Sequence, residues 1–439
     1  MKNLISTKFG LASLLLILSI LISSSNAISK DEVNIVLKHL KEERKKHPQD
    51  SIEKTVSVND LECNLDQSII DEIRSYQNVV NDIIELFTTG EFAGKTYDYL
   101  VQMTDTFGNR LTGSEALKDA IEWFVSNSTN EGFTVIKKIL LLHFGNEEKL
   151  EMTSPRYANM HILGLGSTVP TPAEGITADV FVVSSFEELA ASSDKAEGKI
   201  VVFNAPFTTY GESISYRTKG AVEAAKAGAV ASLTRSVTPF SIDTPHTGWL
   251  EYEDDEKTIT LHLFMGAENH ENGTLTSNTI IEIEGSQYPE EVVVVSGHLD
   301  SWDVGAYFAA HGEEKENFQL VMESDMGTFT PYGIDFSGTD EATCMMKEIV
   351  SLTYLLGTTE TGSPADTSDL GGFTSAGVPT GSLKADTDTY FWYHHSNGDH
   401  IEVYDSTNLD KVAALWTSVA YVAADISFRL PQQNFTILE

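Results

Sequence analysis

Apolar residues recur along this chain at the spacings that distinguish helices from strands. Between residues 69 and 86 they return at helical spacing, which predicts an amphipathic helix. The same period predicts further helices over 96–103, 116–124, 340–356 and 410–428. The predicted helices thus fall into one group near the N-terminus and another in the C-terminal part of the chain.

Short apolar runs between these groups predict strands over 178–183, 199–203, 292–298 and 320–323. The run 292–295 consists of four valines, which suits the centre of a parallel sheet covered on both faces. Residues 360–372 are rich in Gly, Ser, Thr and Asp and predict a loop. Because strands alternate with helices, the fold class is α/β.

The middle of the chain differs from its surroundings. A proline-containing linker at 168–172 precedes two of the predicted strands, and the small-residue segment 220–231 predicts a helix that runs into another strand. No catalytic constellation occurs between residues 177 and 263. This stretch therefore predicts an inserted unit of mixed strands and helices.

The N-terminus has the layout of a secretory signal peptide over residues 1–27. Lys2 and Lys8 precede about a dozen apolar residues, and small residues ending at Ala27 fit a cleavage site. The apolar stretch is short for a bilayer span and no second one follows, so we expect no stable membrane anchor. An uncleaved signal anchor is the alternative. Residues 28–65 are polar and predict a solvated helix, a mobile segment or a pro-segment.

Other features of the sequence agree with the secretory route. Asn-x-Ser/Thr sequons occur at Asn127, Asn272 and Asn434 and predict glycosylation. We therefore expect a protein of the secretory pathway. The chain of 439 residues has 65 acidic and 29 basic side chains, a formal charge of −36, which argues against nucleic acid and anionic membrane surfaces as partners.

The two cysteines, Cys63 and Cys344, form neither a disulfide scaffold nor a metal-ligand pattern. They could pair across the fold. Because Cys344 lies in an apolar helical stretch, we favour a buried free thiol.

Candidate metal ligands follow two of the predicted strands. His298 and Asp300 end the run 292–298 and, one residue apart, leave the same face of a strand. This spacing suits a metal-binding imidazole whose other nitrogen donates to a carboxylate, although such a pair also occurs as a plain hydrogen bond. Asp325 follows the next strand and is either an oxygen ligand for zinc or a turn residue.

A third candidate group lies near the C-terminus. His394 and His395 follow four aromatic residues at 390–393, so either histidine could bind a metal or pack in the core. Asp399 could orient one of them.

Together these motifs resemble zinc metallopeptidase family 28, the two-zinc aminopeptidases. The resemblance rests on GHLDSWDVG at 297–305, VMESDMG at 321–327 and FWYHHSNGD at 391–399. It extends to the stretches 105–114, 162–167, 216–226 and 245–248, so it covers nearly the whole mature chain.

The resemblance implies a zinc-peptidase core with a mixed, mostly parallel sheet flanked by helices. This core would occupy 66–170 and 276–430, interrupted by a protease-associated domain at 171–275 and followed by a tail at 431–439. It implies an exopeptidase that hydrolyses dipeptides and short peptides, with two zinc ions per subunit and a homodimeric assembly.

The resemblance also implies roles for single residues. His298 and Asp325 would bind one zinc, His395 the other, and Asp300 would orient His298. His395 is preferred over His394 because the sequence from His395 onward fits the family pattern His-Ser-x-Gly-Asp. Asp369 stands where the family has a loop aspartate near the metals, although its neighbours match poorly.

The chain departs from the family after Gly305. There the family carries a Met-Asp-Asp-Gly-Gly-Gly segment with the zinc-bridging Asp, then a helix and a strand ending in Ala-Glu-Glu, the general base and a zinc ligand. Here Gly305 runs directly into Ala306, so the core is incomplete between 305 and 318. The pair Glu313 and Glu314 is a poor substitute because it follows no apolar strand. We expect at most one weakly bound zinc.

Two functions remain open. The first is a secreted or lysosomal zinc exopeptidase by descent, impaired or inactive in this chain, with an incomplete gene model or a skipped exon as the origin of the gap. The alternative is a non-catalytic secreted glycoprotein that keeps the fold for binding.

Overall fold

A computed structural model describes residues 62–433 of the chain with internal gaps. The gaps are 109, 111–113, 131–133, 143, 167, 169–170, 173, 241, 243–244, 249, 251–263, 269–273, 283–284, 286–287, 298–311, 326–328, 366–369 and 397. Several predictions lie outside the described residues: the signal peptide, nearly all of 28–65, His298, Asp300, Asp369, Asn272, Asn434 and the first half of the 305–318 interval.

The helices are α1 (Gln67–Arg74), α2 (Gln77–Thr88), α3 (Lys95–Phe107), α4 (Glu115–Asn130), α5 (Phe186–Ala191), α6 (Tyr210–Ser213), α7 (Ser215–Thr218), α8 (Gly220–Lys226), α9 (Asp340–Ser351), α10 (Gly371–Ser375), α11 (Tyr390–Tyr393) and α12 (Ser406–Asp425). Short 3₁₀ turns span Ser193–Lys195, Gly312–Asn317, Tyr354–Leu356 and Ile401–Val403.

The strands are β1 (Thr134–Leu142), β2 (Phe144–Met152), β3 (Ala158–Met160), β4 (Val180–Val183), β5 (Ile200–Phe203), β6 (Ala231–Thr234), β7 (Phe264–Glu268), β8 (Thr274–Glu282), β9 (Val292–Ser296), β10 (Phe318–Glu323), β11 (Pro331–Ser337), β12 (Glu360–Gly362) and β13 (Thr380–Ala385).

The main sheet has five strands in the order β12-β11-β13-β10-β9. The pairs β9–β10, β10–β13 and β11–β12 are parallel and β11–β13 is antiparallel, which confirms a mixed, mostly parallel sheet. All six residues of β10 are buried, as befits a strand with neighbours on both edges and packing on both faces. The predicted α/β class is confirmed.

The C-terminal helix α12 runs through the largest apolar cluster. Nearly every position from Leu409 to Ala423 is buried, so the helix is apolar on all sides rather than on one face. Its N-cap is Asp405, whose side chain accepts from the backbone N–H of Asn408. The helix packs against α2 on one side and against the main sheet on the other.

Three strands of the main sheet were not predicted. Strand β13 begins Thr-Gly-Ser, and β11 and β12 carry glycines at Gly333 and Gly362, so none shows an apolar run. The loop prediction for 360–372 was wrong at its start, where β12 pairs with β11. At Gly333 the φ is +156°, and an added Cβ would lie 1.8 Å from the Glu360 carbonyl oxygen, so close strand approach requires glycine there.

The helix predicted over 69–86 is two helices. Helix α1 ends at Arg74, and Ser75 closes it by donating from its hydroxyl to the carbonyl of Glu72 at 2.6 Å. Tyr76 lies between the helices and donates from its hydroxyl to the backbone carbonyl of Asp425 at 2.7 Å. Apolar periodicity continues across this break because both helices face the same core, so the pattern alone could not locate it.

Antiparallel pairings enclose the inserted part of the chain. Strand β1, before the insert, pairs along its whole length with β8, at the end of the insert, and residues 144–149 of β2 pair with β7 across one register shift. The chain therefore enters and leaves the insert side by side. Between these strands, β4, β5 and β6 form a separate parallel sheet, and helices α5 and α8 pack on it. The exact domain boundaries at 170 and 276 stay a prediction.

The two cysteines form a disulfide, so the free-thiol prediction for Cys344 was wrong. Cys344 is buried, as expected, but its sulfur bonds to that of Cys63, with the Cα atoms 5.5 Å apart. The pairing arises because α1, which begins just after Cys63, packs against α9, where Arg74 and Glu348 also form an ion pair at 3.0 Å. Within the described ranges, no helix combines the length and apolar content that crossing a bilayer requires.

Replacing Cys63 and Cys344 together by serine should lower the free energy of unfolding by about 2–5 kcal/mol, because the bond joins residues 281 positions apart and restricts the unfolded chain. Urea unfolding of the double variant and the parent chain measures this difference. Dithiothreitol should lower the parent to the level of the variant and leave the variant unchanged. Equal stabilities of the oxidised parent and the variant would contradict the disulfide.

Candidate metal site

The strands that precede two of the predicted ligands, His298 and Asp325, end at one edge of the main sheet. Strands β9, β10 and β13 are parallel neighbours, with Ser296, Glu323 and Ser382 in register across them. Their carboxyl ends therefore meet at the same edge, where open α/β sheets carry their sites. Asp325 lies two residues beyond its strand in this register, and His298, outside the described residues, follows β9 by the same number of positions.

Asp325 is held beside the aromatic segment that follows β13. The hydroxyl of Tyr390 donates to the backbone carbonyl of Asp325 at 3.4 Å. The ring of Tyr390 lies 4.8 Å from that of His394, which in turn stacks on His395 at 3.7 Å. The sequence therefore folds so that a carboxylate from β10 and an imidazole from the loop after α11 approach the same place.

The two histidines have different surroundings. His394 packs among the rings of Tyr210, Tyr390 and Phe391. Burial lowers the pKa of His394 well below its usual value, and His395 adds to that effect, while the nearby Asp325 carboxylate opposes it. Burial therefore favours the neutral imidazole at His394, and the preference for His395 as the ligand stays a prediction.

His395 has an unusual backbone. Among the described residues it is the one non-glycine residue in the left-handed region, with φ at +58°. Such a conformation is unfavourable for a residue with a Cβ atom, so neighbouring contacts must hold it. Asp399, which could have oriented one of the histidines, instead accepts a hydrogen bond from the hydroxyl of Tyr404 at 2.9 Å.

The described donor set is only part of a zinc site. Asp325 and His395 are the oxygen and nitrogen donors that zinc uses in proteins. In the described stretches of chain, however, no three His, Cys, Asp or Glu side chains lie close enough to hold a metal ion together. A site with Asp325 and His395 therefore requires His298 or another ligand from outside those stretches.

The Glu313–Glu314 pair does not fill the gap. Both residues lie in the 3₁₀ turn Gly312–Asn317, which precedes β10, whereas Asp325 follows β10. A six-residue strand separates the two positions by about 20 Å. Glu314 is exposed and cannot reach hydrogen-bond distance of Asp325.

The insert reaches this edge of the core through residues 245–248, which we call the strap. The ring of His246 bonds through Nε2 to the carbonyl of Trp392 at 3.0 Å, so Nε2 carries the proton. The N–H of Thr247 donates to the carbonyl of His395 at 2.8 Å, and His246 forms an antiparallel bridge with Ser396. Burial lowers the pKa of His246, which favours the neutral ring.

Aromatic packing joins the same two parts of the chain. Tyr210 stacks on Phe391 with ring centroids 4.9 Å apart and planes 18° apart, and Phe240 packs on Trp392 at 4.9 Å. The aromatic run 390–393 is therefore a contact surface for the insert.

Sequence reasoning missed the side chains that the insert contributes. Arg217 is 4% exposed, donating to the carbonyl of Thr247 and the hydroxyl of Tyr210, each at 2.6 Å. Arg217 and His246 lie within the matching stretches 216–226 and 245–248, but nothing in the sequence places those stretches at the sheet edge. Of the predicted glycosylation sites, Asn127 lies half-buried in α4, and its modification stays a prediction.

Comparisons with known proteins give a consistent result. Residues 304–420 match the family model described as Peptidase family M28. The chain is 39% identical to carboxypeptidase Q of Xenopus laevis over 434 residues, covering 82% of this chain and 92% of that protein. It is 37% identical to carboxypeptidase Q of Homo sapiens over 452 residues, covering 86% of this chain and 96% of that protein.

Solved structures give the same fold. A peptidase M28 precursor from Shewanella amazonensis has a TM-score of 0.75 at 24% identity, covering 83% of this chain and 100% of that chain. A zinc aminopeptidase from Bacillus subtilis has a TM-score of 0.54 at 16% identity, covering 74% of this chain and 93% of that chain.

Replacing Tyr210 by phenylalanine should lower the free energy of unfolding by about 1–3 kcal/mol, because a buried guanidinium N–H of Arg217 loses its acceptor. Urea unfolding measures the change. Tyr216→Phe is the matched control, since the ring contacts of Tyr216 with Phe186 and Phe203 survive that change. Equal effects of the two substitutions would show that the Arg217 contact contributes nothing specific.

Proposed function

This chain belongs to the carboxypeptidase Q family, and from that membership we propose a zinc-dependent exopeptidase by descent whose catalytic centre is incomplete as the chain stands. Its substrates would be dipeptides and short peptides. The observation that carries the proposal is that no other described strand covers the outer edge of β9. This strand precedes the interval where the sequence departs from the family.

Both faces of β9 are packed. Val292 and Val294 lie against the cluster around Phe318 and Phe373, while Val293 and Val295 lie against the main core. Yet all five residues of the strand are only half-buried, in contrast to the fully buried β10. The exposure therefore comes from the strand's second edge, which no other described strand covers. An apolar strand of this kind is typical of a sheet interior.

The comparisons support a missing segment. The match to the human relative runs over 452 positions, more than the 439 residues of this chain, and yet uses only 86% of them. The alignment must therefore include positions that this chain lacks. The sequence places such a gap directly after Gly305, and the first described element beyond it is a short 3₁₀ turn leading into β10.

In the family pattern His298 and Asp325 serve one zinc and His395 the other, with Asp300 orienting His298. We propose that the single zinc expected here uses all three of these remaining ligands. Bound zinc would supply Lewis-acid polarisation of a peptide carbonyl. Without the bridging carboxylate, two cations at this edge would lack charge compensation, so we expect at most one zinc. Losing the general base alone costs about 10²–10⁴ in rate.

We also propose that the chain enters the secretory pathway and acts in lysosomes or outside the cell. The signal-like N-terminus and the sequons support this location. The Cys63–Cys344 disulfide adds support, because such bonds persist in oxidising compartments.

The chain as it stands should bind no more than one zinc per molecule, weakly, and should not hydrolyse dipeptides in a chelator-sensitive way. Titration with Zn²⁺ against a chromogenic chelator and a dipeptidase assay with added zinc measure both. His395→Ala should weaken zinc binding, whereas His400→Ala, an exposed histidine in the same segment, should not. Chelator-sensitive turnover would contradict the predicted inactivity. If the chain is inactive and His395→Ala still binds zinc as tightly as the parent, the non-catalytic binder would be favoured.

Grafting the segment of the Xenopus laevis relative that this chain lacks between Gly305 and Ala306 should restore dipeptide hydrolysis and a second zinc. The graft would supply the bridging Asp, the general base and the covering strand for β9. The same graft with its general-base Glu replaced by Gln is the control and should lose about 10²–10⁴ in rate. A folded graft with two zincs and no activity would contradict the proposal. Sequencing the transcript would show whether an exon encodes the segment.

A further inference from the structure

We propose that Arg217 and the strap are positioning elements for the predicted zinc ligand His395. In this arrangement the insert forms part of the metal site's framework. The inference rests on the proposed function only in taking His395 as a ligand. Its structural part, that the strap fixes the loop carrying His395, stands on contacts alone.

The strap bonds the backbone of the His395 loop at two points. The ring of His246 bonds the Trp392 carbonyl, and the N–H of Thr247 donates to the His395 carbonyl, which pairs His246 with Ser396 in an antiparallel bridge. The second bond is made by His395 itself, whose left-handed backbone, unique among the described non-glycine residues, needs outside support. The direction in which His395 points therefore depends on a segment of the insert.

Arg217 fixes the strap in turn. Its Nη1 donates to the Thr247 carbonyl and its Nη2 donates to the Tyr210 hydroxyl. Its Cζ also lies 5.5 Å from the centroid of the Tyr210 ring. The group rests on Gly248, where an added Cβ would lie 2.2 Å from Cζ of Arg217. Only glycine at position 248 leaves room for this packing.

The strap is also tied to the chain that enters the insert. The N–H of Gly166 donates to the carbonyl of Gly248 at 2.7 Å, the N–H of Leu250 donates back to the carbonyl of Gly166 at 3.2 Å, and the Thr247 hydroxyl donates to the carbonyl of Gly164. The strap is therefore bonded on one side to residues 164–166, just before the linker, and on the other side to the His395 loop. A shift of Arg217 would be passed to His395 through one residue, Thr247, whose carbonyl accepts from Arg217 and whose N–H donates to the His395 carbonyl.

Two substitutions disturb this arrangement by different routes. Arg217→Met removes the donors and keeps an unbranched side chain, whereas Gly248→Ala keeps the charge and displaces the guanidinium. Lys219→Met is the charge-matched control, since Lys219 is exposed on the adjoining turn, and Gly211→Ala is the glycine control, since nothing lies within 4 Å of its added Cβ.

Hydrogen exchange followed by mass spectrometry, on the full-length chain without metal, tests the structural part. Both disturbing variants should exchange about tenfold faster in peptides covering 245–250 and 391–399. Exchange in the insert strand Ile200–Phe203 should stay unchanged, which separates local loosening from global unfolding. Both controls should match the parent. Unchanged exchange at 391–399 in both disturbing variants overturns the proposal.

Zinc titration of the same proteins tests the positioning role. Both disturbing variants should bind Zn²⁺ about tenfold more weakly than the parent, and Arg217→Lys should recover part of the loss. Faster exchange with unchanged zinc affinity would overturn the positioning role and leave a structural one. A parent chain that binds no zinc would overturn the metal assignment of the proposed function, and the exchange result alone would then decide whether the strap fixes the loop.

Discussion

The parallel register of β9, β10 and β13 is the constraint on which the rest of the site depends. Because Ser296, Glu323 and Ser382 lie abreast, the chain leaves all three strands at one level. A shift of one residue in any pair would turn its side chains to the opposite face of the sheet. No other described strand covers the second edge of β9, which accounts for its half-buried valines.

Around this edge the core and the insert are interdependent. The aromatic run 390–393 packs against Tyr210 and Phe240, and the strap bonds the backbone of the loop between Trp392 and Ser396. Buried polar groups of this kind are stabilising only when their partners are in place, because each unsatisfied donor or acceptor carries a desolvation cost. The candidate site is therefore assembled from two parts of the chain that are far apart in sequence.

The parts of this structure that the sequence predicted are those with dense apolar patterns. Strand β10 and helix α12 fall into that class. Strand β13 does not, because a strand covered on both faces and built from Thr, Gly and Ser carries no apolar period. The Cys63–Cys344 bond and the contact of Arg217 with the strap could not be predicted from the sequence for another reason. Both depend on which helices and loops pack together, and the pattern of a single sequence does not encode that packing.

The paired strands that frame the insert have a mechanical consequence. If the paired strands β1–β8 and β2–β7 were the only connection between the insert and the core, the insert could rotate about these strands as a rigid unit. The bridge between His246 and Ser396 adds a second attachment, to the loop that carries His395. Two separate attachments restrict rotation of the insert about either one. The same restriction limits the motion of the loop that carries His395.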